Sequence, residues 1–324
     1  MAFVGSSSFM PRGGKPQLSS TRAARVNVPK MTIEYVGNEP QVRQAGTDCL
    51  KDYITRRAVK TVLFYLREFH DGATEKWLNR FENFTQKEKE FFDWQGYIER
   101  MFEAESVEGV EVFAHPKGYY RREFKFTIEP SGVARKILAS REHLAEEWKQ
   151  DLNLMDMENL EITRMHYELL MNPGADLEPL KERILDVDPM DDESSPLRVP
   201  NYRSIRTLAT HYAAHRILQR MKEKSNHHFM WLSEYLQTHP IGPDSEAFLY
   251  NLLREEAVVR TNPDTYISPK KVAQMIMNCR TTVGKEWIED LELVKSDNLA
   301  IQRRVLQRRA GDLFDGLRSE TEQM

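Results

Sequence analysis

The chain has 324 residues, of which 30% are charged and 40% hydrophobic, and its net charge at pH 7 is −4. This length predicts two domains that each bury a core. The sequence contains no apolar run of about 18 residues, so no transmembrane helix is predicted. The two cysteines, Cys49 and Cys279, lie in helical patterns, which argues against a disulfide framework and favours a reducing compartment.

The first thirty residues differ from the rest, because they contain five Lys or Arg, five Ser and no acid. This composition is typical of an organelle transit peptide, and the Ser-rich opening favours the chloroplast stroma as the destination. A disordered basic tail is the alternative for residues 1–31. Without the thirty residues the chain keeps 41 basic and 50 acidic residues, which argues against nucleic acid as a partner.

The next part of the chain has helical periodicity. Apolar residues spaced by three and four predict an amphipathic helix over Thr47–Phe69, and a short second helix follows around Trp77–Phe81. Thr85–Glu88 is typical of a capping box that opens a third helix. Between about 105 and 130 the period is lost and two β-like runs flank Pro116–Gly118, which predicts an inserted hairpin.

Long helices follow. No Pro or Gly occurs from Val133 to Asn172, which predicts one rod of about 60 Å whose outer half needs a partner rod. Residues 173–200 are acidic and punctuated by proline, as in a linker. Further helices are predicted over Tyr202–Lys224, around Trp231–Gln237 and over Ser245–Ala257. Pro269–Arg309 is predicted as a second rod, with no hairpin in the short segment before it.

The two rods are related in sequence. When Arg141–Arg164 is shifted by 139 residues onto Arg280–Arg303, ten of the 24 positions are identical without a gap. The Trp77 and Trp231 segments extend the similarity upstream. The sequence therefore predicts an all-α fold of two tandem repeats, residues 40–172 and 201–318, each of four helices of which the last is long.

No motif indicates catalysis. His211 and His215 share a helix face at a spacing that metal ligands use, but no third ligand has a recognisable spacing. The arginines between 303 and 309 lie among acids without interleaved aromatics, which favours a solvated or partner-facing helix over nucleic-acid binding. We therefore expect no enzyme activity, no metal and no cofactor, and a module that binds polypeptide.

An ordered series of short motifs resembles the RbcX family of Rubisco assembly chaperones. The series consists of Tyr53–Val59, Leu66–Glu68, Trp77 and Leu78 with Phe81, Tyr97–Glu99 and Lys136–Glu146, and it recurs more weakly around Trp231–Tyr235, Thr238–Ile241 and Arg280. Each motif is weak alone, and the order is fairly specific. The resemblance covers about 230 residues in two blocks.

The resemblance implies an arc-shaped dimer built on long helices, here formed by the two repeats within one chain. RbcX proteins hold the C-terminal peptide of the Rubisco large subunit in a central groove, and the edges of the arc contact the body of that subunit. It implies peptide-binding positions at Tyr53, Arg56, Arg57, Glu68, Leu208, His211 and Glu223. It also implies positions that contact the large subunit or maintain the fold at Lys136, Arg141 and Arg280.

The sequence departs from this family at the groove. Arg56 replaces a groove tyrosine, and the second repeat has Leu208 and His211 at the two groove positions. A diverged helical adaptor for another stromal protein is therefore the alternative function. The segment Glu123–Ile128, with Phe124 and Phe126, resembles the bound peptide and is a candidate pseudo-client. An ordinary amphipathic strand is the alternative explanation of that segment.

Overall fold

The computed structural model describes residues 39–84, 93–114, 121–172, 197–259 and 266–321. These residues are mostly helical, which confirms the all-α class. The helices are α1 (Glu39–Glu68), α2 (Gly72–Arg80), α3 (Trp94–Glu103), α4 (Pro130–Asn153), α5 (Met155–Met171), α6 (Arg198–Lys224), α7 (Asn226–Thr238), α8 (Ser245–Arg254), α9 (Pro269–Glu292) and α10 (Val294–Thr321). We refer to residues 39–172 as the first half and to residues 197–321 as the second half.

Side-chain caps and prolines set several helix starts. Asp71, Asp93 and Asp244 accept hydrogen bonds from the backbone amides of Thr74, Gly96 and Ala247 in the first turns of α2, α3 and α8. Such bonds satisfy amides that the helix itself leaves without partners. Pro130 and Pro269 occupy the first turns of α4 and α9, where a missing N–H costs nothing. The capping box predicted at Thr85–Glu88 lies outside the described residues.

Each predicted rod is divided into two helices, so the prediction of uninterrupted rods was wrong. The breaks fall at Leu154 and Leu293, which are separated by the same 139 residues as the sequence match. At each break the amide bonds to the carbonyl three residues back, at 3.2 Å, as in a tight 3₁₀ turn. A break of this kind needs neither Gly nor Pro, which explains why the composition gave no sign of it.

Two small antiparallel sheets precede the long helices. Strand β1 (Val107–Ala114) pairs with β2 (Arg121–Ile128), and β3 (Val258–Val259) pairs with β4 (Tyr266–Ile267). The second sheet corrects the expectation of no strands before α9. In the first sheet the ring of Phe126 lies over Gly109 on the partner strand, where any Cβ atom would clash with it. The turn predicted at Pro116–Gly118 lies outside the described residues.

The last helix of each half, α5 or α10, which we call the outer helix, packs against the opposite half. Helix α1 packs on α4 and α6 packs on α9 within each half, and α4 packs on α9 between the halves. Helix α5 of the first half contacts α8 of the second, whereas α10 of the second half contacts α3 of the first. A single hydrophobic core runs through both halves and includes Trp148 and Trp287. Helices α5 and α10 thus each contact the opposite half, through α8 and α3 and not only through the other long helices.

Two buried arginines exchange hydrogen bonds reciprocally between the halves. Arg141 on α4 donates from Nη1 to Oδ1 of Asn298 on α10, and Arg280 on α9 donates from Nη1 to Oδ1 of Asn159 on α5 at 3.0 Å. Each asparagine donates in return to a backbone carbonyl at 3.0 Å, Asn298 to Leu138 and Asn159 to Met277. Such reciprocity is the signature of an isologous contact, in which the same pair of positions meets twice.

In the described part of the chain, no helix is long and apolar enough to cross a lipid bilayer.

The Asn298→Ala variant tests how much the hydrogen bonding between Arg141 and Asn298 contributes to stability. We expect it to lower the free energy of unfolding by about 3 kcal/mol, because it leaves the buried guanidinium of Arg141 without its side-chain acceptor. Asn159→Ala should cost less, since Asn159 is only partly buried. Urea denaturation measures both. The exposed control Asn278→Ala should stay within about 0.5 kcal/mol of the parent protein, and an equally small effect of Asn298→Ala would contradict the interpretation.

Candidate functional site

Two of the implied peptide-binding positions, Tyr53 on α1 and Leu208 on α6, lie in the interior. Tyr53 is 4% exposed and stacks on Trp148 at a ring-centroid distance of 6.0 Å. Burial raises the pKa of Tyr53 above its usual value, and the proximity of Ser204 on α6 only partly opposes this. Leu208 is fully buried. These two side chains therefore belong to the hydrophobic core and line no open surface.

The arginines next to Tyr53 are also held within the structure. Arg56 is buried and its Nε contacts both carboxylate oxygens of Asp52, at 3.1 and 3.2 Å. Burial raises the pKa of Asp52 to about 6, although the charge of Arg56 acts in the opposite direction. Arg57 donates from Nε to Oδ1 of Asn201 on α6 at 2.9 Å. The guanidinium group of Arg56 is thus engaged within α1, whereas that of Arg57 joins α1 to α6.

His211 is held by the segment that follows α7. Its Nε2 donates to the backbone carbonyl of Ile241 at 3.0 Å, and burial together with the charge of His215 lowers its pKa to about 4. Burial also lowers the pKa of His215. Among the described residues no group of three or more metal-ligating side chains is assembled. In this arrangement His211 ties a loop to α6.

The remaining predicted positions divide by exposure. Glu68 and Glu223 are exposed near the ends of α1 and α6, and Lys136 is exposed on α4. Arg141 and Arg280 are fully buried, which places them in the fold and not on a contact surface. From the resemblance alone, these two arginines could either contact the large subunit or maintain the fold.

The two buried arginines differ in what surrounds them. The guanidinium carbon of Arg141 lies 3.9 Å from the centroid of the Trp94 ring, a cation–π contact. Arg280 lies 3.3 Å from the carboxylate of Glu158, which is itself fully buried. Burial lowers the pKa of Arg141 to about 9 and that of Arg280 to about 10, so both remain cations at neutral pH.

Sequence reasoning missed the cluster around Glu158. Its carboxylate accepts from the hydroxyl of Tyr202 at 2.7 Å and from Nε of Arg206 at 2.8 Å, in addition to Arg280. Asp151 similarly pairs with Arg198 at the start of α6. The sequence match carried part of this information, because Asp151 and its counterpart Asp290 are identical acidic residues next to the apolar Leu152 and Leu291.

The candidate pseudo-client segment is part of the first sheet. Phe124 and Phe126 lie on β2, whose backbone pairs with β1, and the ring of Phe126 is half-buried over Gly109. Outside the sheet, β2 contacts α2. Its backbone is therefore engaged by β1 and not by a groove between helices.

Exposed apolar side chains lie at equivalent positions on the two outer helices. Leu160 on α5 is 72% exposed and its counterpart Leu299 on α10 is 44% exposed. Tyr167 and Leu306 form a second exposed pair at the same spacing, 62% and 64% exposed. Large apolar groups that recur on a surface mark a site of protein contact more often than isolated ones do. Each half thus presents a similar apolar edge.

The basic side chains near the C-terminal end contact α3. Arg304 and Arg308 form ion pairs with Glu99 at 2.9 and 2.6 Å, and Arg308 also pairs with Glu103. Both guanidinium groups are thus paired with carboxylates of the same chain. The arrangement agrees with a helix that faces a partner within the chain.

No protein-family model, no curated protein and no solved structure matches this chain.

The lowered pKa of His211 predicts a pH dependence. Below its unfolded value of 6.5, the unfolded chain binds a proton that the folded chain refuses until about pH 4, so stability falls as the pH falls through this window. Between pH 7 and 4, the free energy of unfolding of the His211→Asn variant should therefore fall by up to about 3 kcal/mol less than that of the parent protein. Urea denaturation at several pH values measures it, with exposed His227→Asn as the control. An unchanged pH profile of the His211 variant would contradict the assignment.

Proposed function

We propose that the chain is an RbcX-like chaperone of the plastid stroma in which two related repeats pair within one polypeptide and hold the Rubisco large subunit during assembly. The observation that carries this proposal is the reciprocal exchange of Arg141 with Asn298 and of Arg280 with Asn159. Equivalent positions meet in the way that the long helices of a symmetric dimer meet. Residues 40–172 and 201–318 are the proposed repeats, with strands β1 and β2 as the insertion in the first.

The apolar edges support a contact with the body of the client. In RbcX proteins, the edges of the arc hold the large subunit. In this chain, Leu160 and Leu299 are identical residues that are exposed at equivalent positions in the two halves. Burial of an exposed leucine stabilises a complex by about 1.5–3 kcal/mol. Two such edges on one rigid body can hold two surfaces of a client at once, which strengthens the complex without new contacts. No bound nucleotide or metal is required for this mechanism.

Burial at the groove favours a second candidate function. Tyr53, Arg56 and Leu208 are all buried, and Arg56 is engaged by Asp52, so a peptide would have to displace core side chains to reach them. A chaperone that had lost this peptide site and kept its outer edges would serve as an adaptor for another stromal protein. The two candidates differ in whether the chain binds the Rubisco large subunit.

The direct test measures binding of residues 32–324 to the unassembled large subunit and, separately, to its labelled C-terminal peptide. We expect saturable binding of the subunit and a loss of about tenfold or more in affinity for the Leu160→Ser/Leu299→Ser variant, because both edges lose apolar contact area. Met230→Ser on α7 removes a comparably exposed apolar group away from the edges and should leave the affinity unchanged.

The outcomes separate the candidates. Binding of the subunit that depends on Leu160 and Leu299 supports the chaperone, whether or not the free peptide binds. If the parent protein binds neither the subunit nor the peptide, the chaperone proposal is wrong and the adaptor is favoured. If the Met230→Ser control weakens binding as much as the edge variant, the proposed edges are not the contact surface.

A further inference from the structure

A groove between α6 and α9 combines an apolar floor with a basic rim. It has a volume of about 560 Å³ and lies between the C-terminal half of α6 and the N-terminal half of α9. Ile217 and Met221 of α6 and Val272 and Met275 of α9 contribute to its floor. Methionine side chains adapt to apolar groups of different shape, so such a floor suits varied aliphatic or aromatic side chains. The volume lies in the range of ligand-binding clefts.

The rim carries positive charge from both helices. Arg220 and Lys224 lie on α6 and Lys271 lies on α9, and all three are exposed. None of the described residues that line the groove is acidic. In the part of the chain that the structure describes, neither Lys224 nor Lys271 has an ion-pair partner. A basic cleft on a chain with a net charge of −4 is a local concentration of charge that favours an anionic ligand.

This groove is distinct from the peptide groove that the resemblance implies. On α6 the implied position Leu208 is fully buried, and His211 contacts the Ile241 segment. At about 100° per residue, Ile217 lies on the opposite side of the helix from Leu208. All the described lining residues belong to the second half, so the groove is formed within that half and on a different face of α6.

The first half has no equivalent basic rim. At the positions of α1 that correspond to Arg220 and Lys224 it carries Tyr65 and Phe69, which are 42% and 78% exposed. At the position of α4 that corresponds to Lys271 it carries Gly132. Three cations thus occur in one half where the other half has aromatic side chains and glycine, so the scaffold shared by the two halves does not require them.

We propose that this groove binds an acidic segment of another polypeptide, with apolar side chains on the floor and carboxylates at Lys224 and Lys271. The lining residues of α9 run from Lys271 to Thr282, about 17 Å of helix, which matches about five residues of extended chain. A segment in which acidic and apolar residues alternate presents the two kinds of side chain to opposite sides. This inference does not depend on the client proposed above.

A polypeptide fits the groove better than nucleic acid does. Single-stranded nucleic acid is held by successive aromatic rings that stack on its bases. Apart from His228, Tyr266 is the one aromatic side chain among the described lining residues, and the floor is aliphatic. The cations of the rim can pair with carboxylates as well as with phosphates, and the aliphatic floor removes apolar side chains of a polypeptide from water.

The test uses the full chain and a fluorescein-labelled peptide, Glu-Phe-Glu-Leu-Glu-Phe, in fluorescence anisotropy at about 0.15 M salt. We expect saturable binding that weakens with added salt, and no binding of the peptide with Lys in place of each Glu. The variant Lys224→Glu/Lys271→Glu should weaken binding by about tenfold or more, since it replaces two attractions by repulsions. The control Lys222→Glu/Lys270→Glu makes the same change in net charge at neighbouring exposed positions and should bind as the parent does.

A third variant, Met275→Ser, tests the floor and should also weaken binding, because it removes apolar contact without altering charge. Circular dichroism and the urea midpoint of each variant establish that it is folded. Absence of saturable binding by the parent, or equal binding by the two double variants, would overturn the proposal. Binding of dodecanoate without binding of the acidic peptide would also overturn it and would identify the groove as a site for carboxylate lipids.

Discussion

The structure depends on how two buried guanidinium groups are satisfied. Arg141 and Arg280 are fully excluded from solvent, and a cation in that environment is costly unless hydrogen-bond acceptors surround it. The side-chain acceptors come from the opposite half, through Asn298 for Arg141 and Asn159 for Arg280. Neither half can therefore bury its own arginine correctly when the other is absent. This constraint joins the halves in one register and brings α5 and α10 onto the opposite helices.

The same scaffold differs between its two sides. Trp94 stacks on Arg141, whereas the carboxylate of Glu158 contacts Arg280 and also binds Arg206. Two identical chains in a symmetric dimer would have to carry the same residues at both places. A covalently linked pair is free of that restriction. The basic groove between α6 and α9 is a further difference of this kind, which is why we infer a ligand for one half only.

Much of the helical framework was predictable from the sequence, whereas the exposure of the candidate site was not. Spacing of apolar residues predicted α1 and α6, although α1 begins at Glu39 and not at Thr47. The breaks at Leu154 and Leu293 involve ordinary residues, and strands β3 and β4 are too short for a recognisable alternation. Tyr53 and Leu208 are apolar positions on helix faces, and a pattern cannot say whether such a face meets a ligand or another helix. The resemblance assigned them to a groove, whereas both side chains lie in the core, where Tyr53 stacks on Trp148 of α4.

The most direct test of this account is the mass of the chain in solution. Because each half already covers the pairing face of the other, light scattering should give 38.0 kDa for the full chain at every concentration measured. The Arg141→Met variant, which empties one side of the exchange, should still give that mass wherever it is folded, since the linkage keeps the two halves together. A mass of twice this value that falls on dilution would mean that the halves pair between chains, and it would contradict the intrachain exchange on which the account rests.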